Sequence, residues 1–155
     1  MVPAPTESHQ DICSRLWSWL DSHTPEQYWT VQAVGVAVAV DHTLEPDLLL
    51  RRAGGDGNRH FFTANQAVLV VEVVSPGTRA RDRFTKPTEY PAAGIPFYWR
   101  IEQNPIHVYA YRLAPNCGYE LAADGSELLE LDEPFPIKLA VADLAARTRP
   151  PSATE

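Results

Sequence analysis

Apolar and polar positions alternate in recognisable blocks along the chain. Ile12, Leu16 and Leu20 recur every four residues, with Cys13 and Trp17 beside them, which predicts a helix over 8–22. Ser8 followed by Asp11 resembles a capping arrangement, and Thr24-Pro25 ends the segment. Tyr28 to Val40 is rich in Val, Tyr and Thr and broken by Gly35, so it predicts one or two strands. Asp41 to Glu45 reads as a turn, Leu48 to Arg51 as a short strand opened by Pro46-Asp47, and Ala53 to His60 as a glycine-rich loop. Ala67 to Val74 is almost continuously apolar, the pattern of a central strand covered on both faces. Ser75-Pro76-Gly77 stops it, and Arg81 to Ala93 predicts a helix ended by Gly94, with Pro87 and Pro91 inside. Phe97 to Ile101 and Ile106 to Arg112 predict a hairpin through Gln103-Asn104-Pro105. Gly118 to Leu121 and Ile137 to Leu139 read as weaker strands, and Ala142 to Ala146 as a closing helical turn. The order predicts an α/β or α+β layered fold, a mixed sheet flanked by helices.

At 155 residues the chain suits one domain, with 1–6 and 149–155 as tails rich in Pro, Ser and Thr. No apolar run approaches the roughly 20 residues that span a bilayer. The first ten residues have neither a basic nor an apolar leader region, so the expected address is the cytoplasm, with no membrane association. Cys13 and Cys117 are expected to be buried, reduced thiols, and no zinc-ligand spacing joins them to the five histidines. The net charge of -7 argues against non-specific nucleic-acid binding. Yet residues 51–86 carry seven basic side chains against three acidic ones, while 120–133 hold six acidic residues and no basic one. Either the surface is unevenly charged, or a basic face sits on an acidic body.

Glu72 breaks the valine-rich run. A carboxylate in a buried strand costs several kcal/mol unless it is paired, protonated or bound to a metal. Glu72 therefore points out of an edge strand, pairs with a nearby arginine, or binds a cation. Asp47 taken alone is an ordinary turn residue. If its strand neighbours that of Glu72, the two carboxylates can share a divalent ion, and with a backbone carbonyl they suit magnesium or manganese. Lys86 is one of only two lysines and follows Asp82 by one turn. It is either half of a surface pair or a point charge directed at the site. Tyr90, one turn on, reads as helix packing.

Pro46-Asp47, Val70-Val71-Glu72-Val73-Val74-Ser75-Pro76-Gly77-Thr78, Arg81-Asp82-Arg83, Lys86, Tyr90 and Ala93-Gly94-Ile95-Pro96-Phe97-Tyr98-Trp99 occur in order. This set resembles the Uma-type family, proposed to be bacterial restriction endonucleases within the PD-(D/E)XK nuclease superfamily. The resemblance runs from about residue 8 to 145, and His9-Gln10 also fits it. It implies a restriction-endonuclease-like core with the site at one end of a mixed sheet. It implies that Asp47 and Glu72 are the catalytic acidic residues and Lys86 the catalytic lysine. Asp47, Glu72 and the carbonyl of Val73 would hold magnesium (or manganese) for hydrolysis of DNA phosphodiester bonds. Arg79, Arg81 and Arg83 would contact DNA. The strict pattern has a lysine where this chain has Val74, the role passing to Lys86. The hairpin and acidic segment that many relatives carry before the first helix are not evident, and Glu7 is the nearest carboxylate. The alternative is a catalytically inactive relative that serves as a nucleic-acid or protein interaction module. A homodimer is a further expectation, with Trp17, Trp19, Trp29 and Trp99 supplying aromatic surface.

Overall fold

A computed structural model describes residues 4–74 and 86–145, without the side chains of 86 and 87. Helix α1 runs Glu7–His23. Strands follow at β1 (Tyr28–Gln32), β2 (Gly35–Ala39), β3 (His42–Leu44), β4 (Leu48–Arg52), β5 (Phe61–Thr63) and β6 (Ala67–Val73). Helix α2 (Lys86–Ala92) precedes β7 (Phe97–Glu102), β8 (His107–Leu113), β9 (Tyr119–Gly125), β10 (Leu128–Leu131) and β11 (Ile137–Ala140).

Six strands form the central sheet in the order β1-β4-β6-β7-β8-β9. Only β6 and β7 pair in parallel; the other neighbours are antiparallel. A parallel pair requires a crossover connection, and α2 lies within it. The run of valines settles in the middle because both of its faces are covered: every residue of β6 is buried.

One face packs against α1 and the β10-β11 hairpin. Its core joins Ile12, Leu16 and Leu20 of α1 to Leu48, Leu50, Leu69, Val71, Trp99, Leu129 and Leu139. The other face is covered by α2 and the small sheet β3-β2-β5, through Val36, Leu44, Leu49, Phe62, Val70, Tyr90, Ile95 and Tyr98. The result is a mixed α+β fold with a mixed sheet between two layers, as the patterning predicts.

Several local expectations change. Thr6, not Ser8, caps α1: its hydroxyl oxygen accepts the His9 N–H at 3.2 Å. The turn expected over 41–45 is instead strand β3, because Thr43 and Leu44 pair with Ala37 and Val36 and bury Leu44. Strands β5 and β10 give no signal in the sequence pattern. One has only three residues and the other one core residue, Leu129, too little periodicity to register. Of the helix predicted over 81–93, residues 81–85 lie outside the described residues. Gly94 ends α2 at φ +83°, a left-handed conformation that lets the Ile95 N–H return to the Tyr90 carbonyl at 3.2 Å.

The cysteines are both free, but only Cys13 is buried; Cys117 is exposed. The tryptophans are mostly consumed internally. Trp99 is 1 % exposed, Trp17 and Trp19 pack against the core, and only Trp29, at 45 %, offers substantial surface. Trp99 is therefore not part of the aromatic surface expected for a dimer. The acidic stretch is a set of solvated strands whose carboxylates pair across them: Glu120 with Arg112, Asp124 with His107, and Glu130 with Lys138. Such exposed pairs are each worth about 0–1 kcal/mol. Among the described residues, no helix is long and apolar enough to cross a membrane.

On the second face Tyr119 stacks against Tyr98 and donates its O–H to the Ile95 carbonyl at 2.8 Å. Burial pushes its phenol well above the ordinary value of 10. The folded state therefore favours the protonated phenol, a contribution present below pH 10 and lost as pH rises beyond it. Tyr119→Phe is expected to cost about 1 kcal/mol at neutral pH. It should also reduce the loss of stability above pH 10, as measured by urea melts across pH.

Candidate active site

The strand pairing sets Leu48 opposite Val71, Leu49 opposite Val70 and Leu50 opposite Leu69. Asp47 and Glu72 are the next residues beyond the Leu48–Val71 pair, at one end of these two strands. Glu72 follows the face of Val70, toward Tyr90, while Asp47 immediately precedes β4 and presents its carboxylate to α1. Asp47 is further fixed by its own backbone, whose carbonyl accepts the Ala33 N–H at 3.1 Å. Its Oδ2 accepts the Val73 N–H at 2.7 Å, a side chain completing the ladder where β4 begins.

Glu72 is 2 % exposed. The edge-strand orientation is thereby ruled out: the residue lies in a central strand, inside the protein. The buried Tyr90 hydroxyl donates to Glu72 Oε1 at 2.6 Å. Tyr90, read from the sequence as packing alone, both fills the second core and donates to the buried carboxylate. Tyr90→Phe is expected to destabilise the protein by about 1–3 kcal/mol, because a buried acceptor loses a donor while the ring stays in place. Chemical denaturation reads that loss; a cost below about 0.5 kcal/mol would show that other partners satisfy the carboxylate.

Helix α1 approaches Asp47 from the opposite layer. His9 Nε2 lies 3.3 Å from Asp47 Oδ2, and Cys13 Sγ lies 3.8 Å from His9 Nδ1, one helical turn away. His9 and Cys13 are both buried. The hydrogen bond to Asp47 is the main reason that the His9 imidazole is pushed up to about 10; the Cys13 contact adds to it and burial opposes it. Burial pushes the Cys13 thiol up as well. The three ligand atoms of His9, Cys13 and Asp47 all lie within 4.8 Å of one another. The expectation that no zinc-ligand group can include a cysteine and a histidine is therefore corrected. His9 and Cys13 have i,i+4 spacing on one helix, and the third member comes from a strand distant in sequence. The helical spacing is visible in the chain, but nothing in it joins Asp47 to His9 and Cys13.

Of the other residues singled out from the sequence, Lys86 is the first residue of α2 and its side chain lies outside the described residues. Arg79, Arg81 and Arg83 lie outside them too. Among the described residues of the basic window, Arg51 is structural. Its guanidinium lies between the rings of Trp29 and Phe62, at 4.7 and 4.6 Å, and donates to the carbonyls of Arg52 and Gly54. Beyond β6, the Val74 N–H bonds the Ile101 carbonyl and the Gln103 side chain donates to the Val74 carbonyl, holding the end of the strand.

The family model Uma2, described as "putative restriction endonuclease", matches residues 1–145. The chain belongs to the Uma2 family. None of the curated proteins matches it. Among solved structures, the fold is similar to that of a "putative nuclease" from Anabaena variabilis, with a TM-score of 0.70 at 18 % identity. The match covers 93 % of this chain and 83 % of that one. This likeness gives the Uma2 chain a restriction-endonuclease-like fold, and the description of its family supports a nuclease, a class whose substrates are nucleic acids.

Proposed function

We propose that the protein is a divalent-metal-dependent endonuclease that hydrolyses DNA phosphodiester bonds, with Asp47, Glu72 and Lys86 as its catalytic residues. The observation that carries this reading is Glu72: a carboxylate 2 % exposed in the central strand, one residue beyond the Leu48–Val71 pair at the end where Asp47 lies. A buried carboxylate beside a second acidic group is an arrangement that a cation relieves and an apolar core does not.

The donor set fits magnesium or manganese. Asp47, Glu72 and the Val73 carbonyl offer hard oxygen ligands, and the bond from the Val73 N–H holds Asp47 against the end of β6. A cation held there would supply Lewis acidity and neutralise charge on the scissile phosphate. Tyr90 fixes the rotamer of Glu72 from the side of α2, and His9 restrains Asp47 from the side of α1. Lys86 acts on the attacking water, orienting it or stabilising the charge that builds on the phosphoryl oxygens as the P–O bond breaks. Arg79, Arg81 and Arg83 contact backbone phosphates, which makes binding salt-dependent.

The test is nicking of supercoiled plasmid by the purified chain with magnesium or manganese, with and without chelator. Activity that needs the metal and falls at least about 100-fold in Lys86→Ala supports the reading. Metal-dependent nicking unchanged in that variant removes Lys86 from the mechanism. No nicking and no binding of either metal at millimolar levels favours a non-catalytic interaction module.

A further inference from the structure

We propose that His9, Cys13 and Asp47 form a binding site for a borderline-soft divalent cation, zinc being the best match. The site is chemically distinct from the carboxylate pair and shares only Asp47 with it. It is built from two secondary elements. Residues four apart on α1 present an imidazole and a thiol on the same face. Asp47, fixed through its backbone to Ala33 and through Oδ2 to Val73, supplies the oxygen.

The donor chemistry decides the ion. Magnesium prefers an all-oxygen shell, whereas a nitrogen, sulfur and oxygen set selects zinc among abundant cations. Ligand atoms around a tetrahedral zinc lie about 3.3–3.8 Å apart, given bonds of about 2.0–2.3 Å. Here the sulfur lies 3.8 Å from one ring nitrogen, the carboxylate oxygen lies 3.3 Å from the other, and the three ligand atoms span no more than 4.8 Å. Side-chain adjustment of about 1 Å brings one ring nitrogen, the thiolate and one oxygen onto a single ion, leaving a fourth position for water. The site is largely dehydrated: His9 is 6 % and Cys13 5 % exposed. With no ion bound, the same three groups form a hydrogen-bonded chain.

The competing account is that the chain of hydrogen bonds is purely structural. Cobalt distinguishes the two in the intact, reduced, chelator-treated protein. Titration with cobalt is expected to give a near-ultraviolet thiolate-to-metal charge-transfer band that one equivalent of zinc bleaches. Cys13→Ser should abolish the band, while Cys117→Ser should leave it. His9→Gln should weaken zinc binding at least about tenfold in competition with a chelating dye. If the serine variant does not fold, Cys13→Ala and His9→Gln carry the same readouts. A wild-type protein without the band, a band that survives loss of Cys13, or zinc affinity unchanged in His9→Gln would overturn the proposal. Glu72→Gln separates this site from the nuclease reading. It is expected to keep the cobalt band, so loss of nicking with the band intact, or the reverse, assigns failure to one proposal alone.

Discussion

Replacing Glu72 with glutamine is expected to lower plasmid nicking by at least about 100-fold, equivalent to about 2.7 kcal/mol of transition-state stabilisation. The substitution keeps the shape of the side chain and an oxygen that accepts the Tyr90 hydroxyl. It removes the charge that would hold a cation. Because an amide is cheaper to bury than an ionised carboxylate, the variant should be as stable as the wild type or more so. Rising stability with collapsing activity is the signature of a charge retained for chemistry. Nicking rates and urea midpoints on the same preparation measure both. Unchanged nicking would remove Glu72 from the site, while parallel loss of stability and activity would mean that the carboxylate serves the core.

The second large effect is expected at Asp47. Asp47→Ala removes the acceptor of the Val73 N–H and the ionic partner of His9 in one step. Loss of one member of a partly buried pair, together with a stranded backbone donor, should cost about 2–4 kcal/mol. Nicking should fall as far as in the Glu72 variant. A pH series gives the pair its own signature in chelated protein. The folded-state value for His9 lies near 10, above its ordinary 6.5, owing first to the Asp47 hydrogen bond. A raised value means that the stabilisation is complete below pH 6.5 and drains away as pH climbs toward 10. Wild type should therefore lose stability across that window and Asp47→Ala should lose much less. Equal slopes in the two proteins would show that His9 and Asp47 do not interact in solution.

The two variants differ because the two carboxylates are held differently. Glu72 sits inside the sheet, so its replacement by a neutral isostere relieves the core. Asp47 sits where a strand begins, and its oxygen substitutes for a ladder acceptor, so its loss disrupts hydrogen bonding.

Much of the layering was legible in the chain. The four-residue rhythm of Ile12, Leu16 and Leu20 became the buried stripe of α1, within one residue of the expected ends at each side. The unbroken apolar run became the central strand β6, since only a strand covered on both faces tolerates apolar residues at successive positions. Short elements escaped. β3, β5 and β10 owe their existence to pairing partners elsewhere in the chain rather than to their own periodicity.

Glu72 is anomalous from the chain alone, because a charge in a valine run conflicts with its surroundings whatever the fold. The residue types near that charge along the chain are likewise legible without the fold. The placing of β4 beside β6, which brings Asp47 and Glu72 to the same end of the sheet, and the reach of Tyr90 from α2 to the carboxylate come from packing. It alone carried His9 and Cys13 across to Asp47. The reason is physical: periodicity reports which face of an element is buried, whereas the partners of a polar group depend on strand order and layer packing. Those are set by contacts between residues tens of positions apart.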